Sequence, residues 1–154
     1  WRENFKAQCS ISWKNMKTRE ALKIAIFEEE YFYNFYNALS AKVVSPTFSE
    51  ILKKLASQEL IHKEKLESIN SFKIDLVPEI DLVSGDIASI NIKDFSSIKE
   101  ILLFAIKQEI SARVNYLKLK NAVSDPKVKE LFQMLADEEL NHEQVLTEEL
   151  GSYK

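Results

Sequence analysis

Six side chains in this 154-residue chain have the types and the spacing to hold metal ions: Glu29, Glu59, His62, Glu109, Glu139 and His142. Glu59-x-x-His62 and Glu139-x-x-His142 each set a carboxylate and an imidazole three residues apart, a spacing that turns both toward the same space on a helix. His62 and His142 are the only histidines in the chain. A single Glu-x-x-His arises by chance in many helices, whereas two of them, with two more glutamates in matched register, form a specific pattern. Four carboxylates buried together cannot all stay ionised uncompensated, because desolvating each costs several kcal/mol and their repulsion adds to that. Either protons neutralise them or two divalent cations do, with two neutral imidazoles completing the coordination. Carboxylate and imidazole suit iron or manganese, and a single cysteine cannot build a thiolate site.

Each of the six interrupts an apolar stripe. Glu59 and His62 follow Phe48, Leu52 and Leu55 and precede Leu66; Glu139 and His142 follow Val128, Phe132 and Leu135 and precede Leu146. Glu29 sits between Leu22-Ala25-Ile26 and Phe32-Tyr33-Tyr36, and Glu109 between Leu102-Ala105-Ile106 and Ala112-Tyr116. Reading Glu59 and Glu139 as surface residues and the histidines as satisfied core groups would require all four interruptions to coincide by accident. Glu28, Glu30 and Glu138 fall off the stripes and are expected to be solvated charges. Tyr36 and Tyr116, each two turns beyond a glutamate, serve either as core packing or as hydroxyl donors to a ligand carboxylate. Ala25 and Ala105, one turn before Glu29 and Glu109, cannot supply the hydrogen bond that usually orients a ligating imidazole. Cys9 is expected to be inert.

The elements that position these residues are helices. The chain's 3 prolines and 2 glycines (Pro46, Pro78, Gly85, Pro126 and Gly151) leave four stretches of about 25 residues with apolar residues at three-to-four spacing. A sheet protein of this length needs more turn residues than that, so an all-β fold is excluded. The first helix is expected from Thr18 to Val44. Ser45-Pro46 opens a second that runs to Asn70, and Ser97-Ile98-Lys99-Glu100 is a capping box for a third that ends near Val123. Asp125-Pro126 opens a fourth that ends near Leu150. Residues 71–95 lose the periodicity and read as a long crossover.

The two helical pairs are copies. A shift of 80 residues aligns Glu29 with Glu109, Tyr36 with Tyr116, Pro46 with Pro126, Glu59 with Glu139 and His62 with His142, and 16 of the 48 positions in 20–67 are identical to those in 100–147. Two copies with so long a period fit a duplicated hairpin closing into a four-helix bundle, not a solenoid. Glu29 lies 16 residues before Ser45 and Glu59 14 after it, which puts them about 24 and 21 Å from the turn at 1.5 Å per residue. The second half repeats those offsets from Asp125, so all six side chains converge near mid-depth.

The remaining numbers bound the class. Hydrophobic residues make up 45% and charged residues 29%, the net charge is −3, and no run approaches a membrane span. That charge argues against nucleic acid as a partner. The whole of 1–154 is expected to be one domain: an extension over 1–17, a hairpin over 18–70, the crossover over 71–95 and a second hairpin over 96–150. In the extension Trp1, Phe5, Cys9, Trp13 and Met16 have helical spacing, which predicts a short amphipathic helix packed on the bundle or on a sister subunit. A chain that begins with Trp1 is expected to be processed or trimmed. A cytoplasmic homodimer is expected, in which the crossover is long enough to exchange hairpins between subunits.

The patterns Ala25-Ile26-x-x-Glu29-x(5)-Phe35-Tyr36 and Leu55-Ala56-x-x-Glu59-x-x-His62 resemble the rubrerythrin-type domain of the ferritin-like di-iron carboxylate superfamily. The resemblance covers the four helices and implies an all-α, ferritin-like bundle with two iron ions, for which manganese or zinc could substitute. It implies that Glu59 and Glu139 bridge the metals, that Glu29 with His62 completes one and that Glu109 with His142 completes the other. It further implies a non-haem oxidoreductase that reduces hydrogen peroxide with electrons from an external rubredoxin-like donor, since this chain has no Cys-x-x-Cys pair. The family carries an extra glutamate where this chain has Ala112. A ferroxidase that oxidises Fe(II) with oxygen, or a non-catalytic metal-binding interaction module, are the alternatives.

Overall fold

The computed structural model describes residues 11–16, 18–69, 80–84 and 91–153. Four long helices dominate it: α1 (Thr18–Ser40), α2 (Pro46–Glu67), α3 (Ile98–Ala122) and α4 (Pro126–Ser152). They begin within a residue of where capping chemistry places them. Ser45 accepts a hydrogen bond from the Phe48 amide, Ser97 from that of Glu100, and Asp125 from those of Lys127 and Val128, each satisfying amide donors that a helix start leaves without an intrahelical partner. The capping box at Ser97 is modified, since the Glu100 carboxylate accepts from the Ser96 amide rather than from Ser97. The first two helices stop short of expectation, at Ser40 and Glu67 instead of Val44 and Asn70.

Helices α1 and α2 form one hairpin and α3 and α4 the other. Two apolar clusters fill the bundle between them. One joins the start of α1 (Ala21, Leu22) and the end of α2 (Leu66) to the end of α3 (Tyr116, Leu119) and the start of α4 (Phe132, Leu135). The other joins the end of α1 (Tyr36, Leu39) and the start of α2 (Leu52, Leu55) to the start of α3 (Leu102, Ala105) and the end of α4 (Leu146). Their membership makes α1 antiparallel to α3 and α2 antiparallel to α4. The clusters are separated by a buried polar layer at mid-depth. Among the described residues no helix is long and apolar enough to cross a membrane.

Outside the helices the structure corrects one expectation and refines another. Residues Ile11–Met16, expected to be helical, form a strand (β1) that pairs antiparallel with β2 (Ile80–Ser84), Ile11 opposite Ser84 and Trp13 opposite Leu82. The ambiguity is physical: residues four apart share a face on a helix and also on a strand of period two, so the spacing from Trp1 to Trp13 fits both. The first ten residues of that expected helix lie outside the described residues. The crossover is thus not wholly irregular, since it contributes β2, which lies against α3, and a 3₁₀ turn over Ile92–Asp94 capped by Asn91.

Candidate metal centre

All six expected ligands occupy the polar layer, and none is more than 4% exposed. Glu59 and Glu139 each divide their two oxygens between the two imidazoles. Glu59 turns Oε2 to His62 Nδ1 at 3.2 Å and Oε1 to His142 Nδ1 at 3.0 Å. Glu139 does the same in mirror, with Oε1 at 3.0 Å from His62 Nδ1 and Oε2 at 3.1 Å from His142 Nδ1. Glu29 Oε2 approaches only His62, at 3.4 Å, and Glu109 Oε2 only His142, at 3.7 Å. Two overlapping groups result, Glu29-Glu59-His62-Glu139 and Glu59-Glu109-Glu139-His142, in each of which the ligand atoms lie within 4.8 Å of one another. The imidazole rings stack with centroids 5.5 Å apart.

The donor atoms fit cations better than they fit each other. Glu59 Oε1, both oxygens of Glu139 and Nδ1 of both histidines are buried without an aligned hydrogen-bond partner among the described residues, although they lie close together. Lone pairs that converge on common points rather than on one another are what a coordinated ion requires, and the oxygen and nitrogen donor set suits iron or manganese. Without metal, protons must neutralise the layer. Burial, then the charge of Glu59, pushes the Glu29 carboxyl up to about 8. Burial and then Glu139 raise Glu109 to about 7. Burial alone would lower both imidazoles, but surrounding carboxylates raise them, beginning with Glu138 at His62 and Glu109 at His142.

Tyr36 and Tyr116 combine both roles open to them. Each ring is buried in an apolar cluster, and each hydroxyl donates across the bundle to a glutamate of the other hairpin, Tyr36 to Glu109 Oε1 and Tyr116 to Glu29 Oε1. The bonds leave Oε2 of each glutamate facing inward. Burial, followed by the adjacent carboxylate, raises both phenols well above their ordinary value, so they remain donors.

Glu138 overturns an expectation. Far from being an unattached solvated charge, it sets Oε2 2.6 Å from His62 Nε2 and 3.5 Å from Lys65 Nζ, with its side chain 35% exposed. Glu30 is exposed as expected and pairs with Lys63, whereas Glu28 is half-buried beside the site. A cavity of about 20 Å³ opens there, lined by Glu28, Phe32, Gln108, Ser111 and Ala112 around Glu29, Glu59, Glu109 and Glu139. Since about 10–15 Å³ of such volume holds one water, it admits only very small molecules. It approaches from the α1–α3 side, opposite the histidines on α2 and α4.

Known proteins bear on this arrangement. The solved structure of a protein from Thermotoga maritima, described as a ferritin-like di-iron-carboxylate protein, superposes with a TM-score of 0.74 at 24% identity, covering 92% of this chain and 99% of that one. A hypothetical protein from Pyrococcus furiosus superposes with a TM-score of 0.70 at 26% identity, covering 87% and 88%. Comparison with curated proteins gives no match. The rubrerythrin family model matches residues 2–70 and 100–154, the segments that supply all six clustered side chains, with its gap over the crossover. A bundle of duplicated hairpins, a shared carboxylate-imidazole layer and a family match over most of the chain agree, and the chain belongs to the rubrerythrin family.

Proposed function

We propose that this chain is a non-haem di-iron oxidoreductase that reduces hydrogen peroxide, taking electrons from a rubredoxin-type donor outside these 154 residues. The observation that carries the reading is the pair of ligand groups sharing Glu59 and Glu139 beside a cavity of about 20 Å³. Glu29, Glu59, His62 and Glu139 would hold one iron, and Glu59, Glu109, Glu139 and His142 the other. Bound iron supplies two electrons, one per ion, so that hydrogen peroxide and two protons give two waters. The chain's own residues orient and enclose. Tyr36 and Tyr116 hold Oε1 of Glu109 and Glu29, which aims Oε2 at the metal positions. Phe32 and Ala112 line the small cavity beside the carboxylates, which has room for a molecule the size of hydrogen peroxide.

One observation favours a second reading. Ala112 lines the cavity where the family resemblance has a glutamate, so no side chain there can exchange onto a metal between redox states. The same centre could then act as a ferroxidase with oxygen as oxidant. The test is to load anaerobic metal-free protein with two equivalents of Fe(II) per chain and follow the near-ultraviolet absorbance of a diferric centre. Much faster oxidation by peroxide supports the peroxidase, and faster oxidation by oxygen supports the ferroxidase. If neither oxidant produces the band, and Glu59→Ala behaves like the unaltered chain, the di-iron reading falls. The proposal extends to a homodimer, which a monomeric mass at micromolar concentration in sedimentation would overturn.

A further inference from the structure

We propose that the two metal positions are unequal and that Glu138 makes the one built on His62 the tighter; this rests on the di-metal reading above. The repeat supplies the comparison. Under the 80-residue shift, Glu138 reaching His62 corresponds to Gln58 reaching His142, and Lys65 corresponds to Val145. In one half, His62 Nε2, Glu138 and Lys65 form a chain of contacts at 2.6 and 3.5 Å. In the other half neither charge is present, and His142 Nε2 is buried with no hydrogen-bond partner among the described residues. Gln58 and Val145 instead line a groove of about 320 Å³ with Lys54, Asn141 and Glu148.

The difference acts on the metal through the imidazole. A carboxylate that accepts from Nε2–H fixes the tautomer whose lone pair is on Nδ1, holds the ring in place and makes Nδ1 a better donor. His62 Nδ1 faces Glu29, Glu59 and Glu139, so that position is organised before metal arrives. Among the described residues His142 has no such support, and its buried Nε2 is left without a partner. The first equivalent of metal therefore enters the Glu29-Glu59-His62-Glu139 group, and the ion beside His142 is the more readily lost. Glu138 is a positioning residue, since it acts only through His62.

Calorimetric titration of the metal-free chain with Fe(II) under anaerobic conditions, with Mössbauer spectra after one and two equivalents, tests this. The expected result is two binding steps separated by about tenfold or more, the usual effect of such a hydrogen-bond partner on metal affinity, with one iron environment filled first. Glu138→Gln leaves both histidines facing a glutamine at this repeat position and is expected to merge the steps by weakening the tighter one about tenfold. Gln58→Glu is expected to strengthen the weaker step. A merely structural role for Glu138 would shift the melting temperature without changing the ratio of the steps. Two equal steps in the unaltered chain, or a ratio that Glu138→Gln leaves intact, overturns the inference and leaves the di-metal centre standing. Binding of fewer than two ions overturns both.

Discussion

Glu29 and Glu109 divide their two oxygens between two tasks: Oε1 accepts from a tyrosine of the opposite hairpin, and Oε2 faces an imidazole. Tyr116→Phe leaves Glu29 Oε1 buried without its donor and is expected to lower the stability of the metal-free protein by about 2 kcal/mol, within the range for leaving a buried acceptor unsatisfied, as read by urea unfolding. The pH response of the metal-free protein has a definite sign. Glu29 and Glu109 are raised to about 8 and about 7, so above the ordinary carboxylate range the folded protein holds protons that the unfolded chain has released. Stability from these groups is full below the unfolded carboxyl pKa and is lost as pH rises through the folded one. The raised imidazoles act in the same direction once the unfolded histidines deprotonate. The metal-free protein is therefore expected to melt lower at about pH 8 than at about pH 5, and scanning calorimetry across that window checks it. Glu138 shows the limit of reading single residues: its partner His62 lies 76 positions away on another helix, a contact that apolar spacing along α4 does not encode.

At the scale of elements, helix starts are the most local features, and they were legible for that reason. Ser45-Pro46 and Asp125-Pro126 each provide a side-chain acceptor and a fixed φ at the first helical position, and both helices begin at that proline. Asp125→Ala removes the acceptor for two amides and is expected to cost about 1 kcal/mol in denaturant unfolding, with metal stoichiometry unchanged. Helix ends carry no comparably local signal in this chain, and α1 stops at Ser40 and α2 at Glu67 rather than at Val44 and Asn70. The ribbon of β1 and β2 joins residues about 70 positions apart in sequence, and each strand is short enough that only its partner distinguishes it from other extended or helical readings.

The whole molecule is two apolar clusters divided by one polar layer that draws side chains from all four helices. Metal bound there would tie both hairpins together, a cross-link absent from the unfolded chain. At a hundredfold excess over Kd each ion is expected to add about 2.7 kcal/mol, so saturating Fe(II) or Mn(II) should raise the melting temperature by on the order of ten degrees. A chelator should return it to the metal-free value. A melting temperature unmoved by metal would separate the layer from any role in ion binding.

Hairpin duplication, helix starts, the depth of the layer and the identity of its six side chains followed from the sequence alone, because stripes, caps and an 80-residue register are properties of local spacing. Other features were decided only by the tertiary structure. They include the antiparallel pairing of α1 with α3, the crossed tyrosine bonds, the pairing of β1 with β2, and the contact that gives His62 Nε2 a carboxylate partner which His142 Nε2 lacks among the described residues. Each joins residues far apart in the chain, and which of them meet depends on how whole helices pack, which no local pattern specifies.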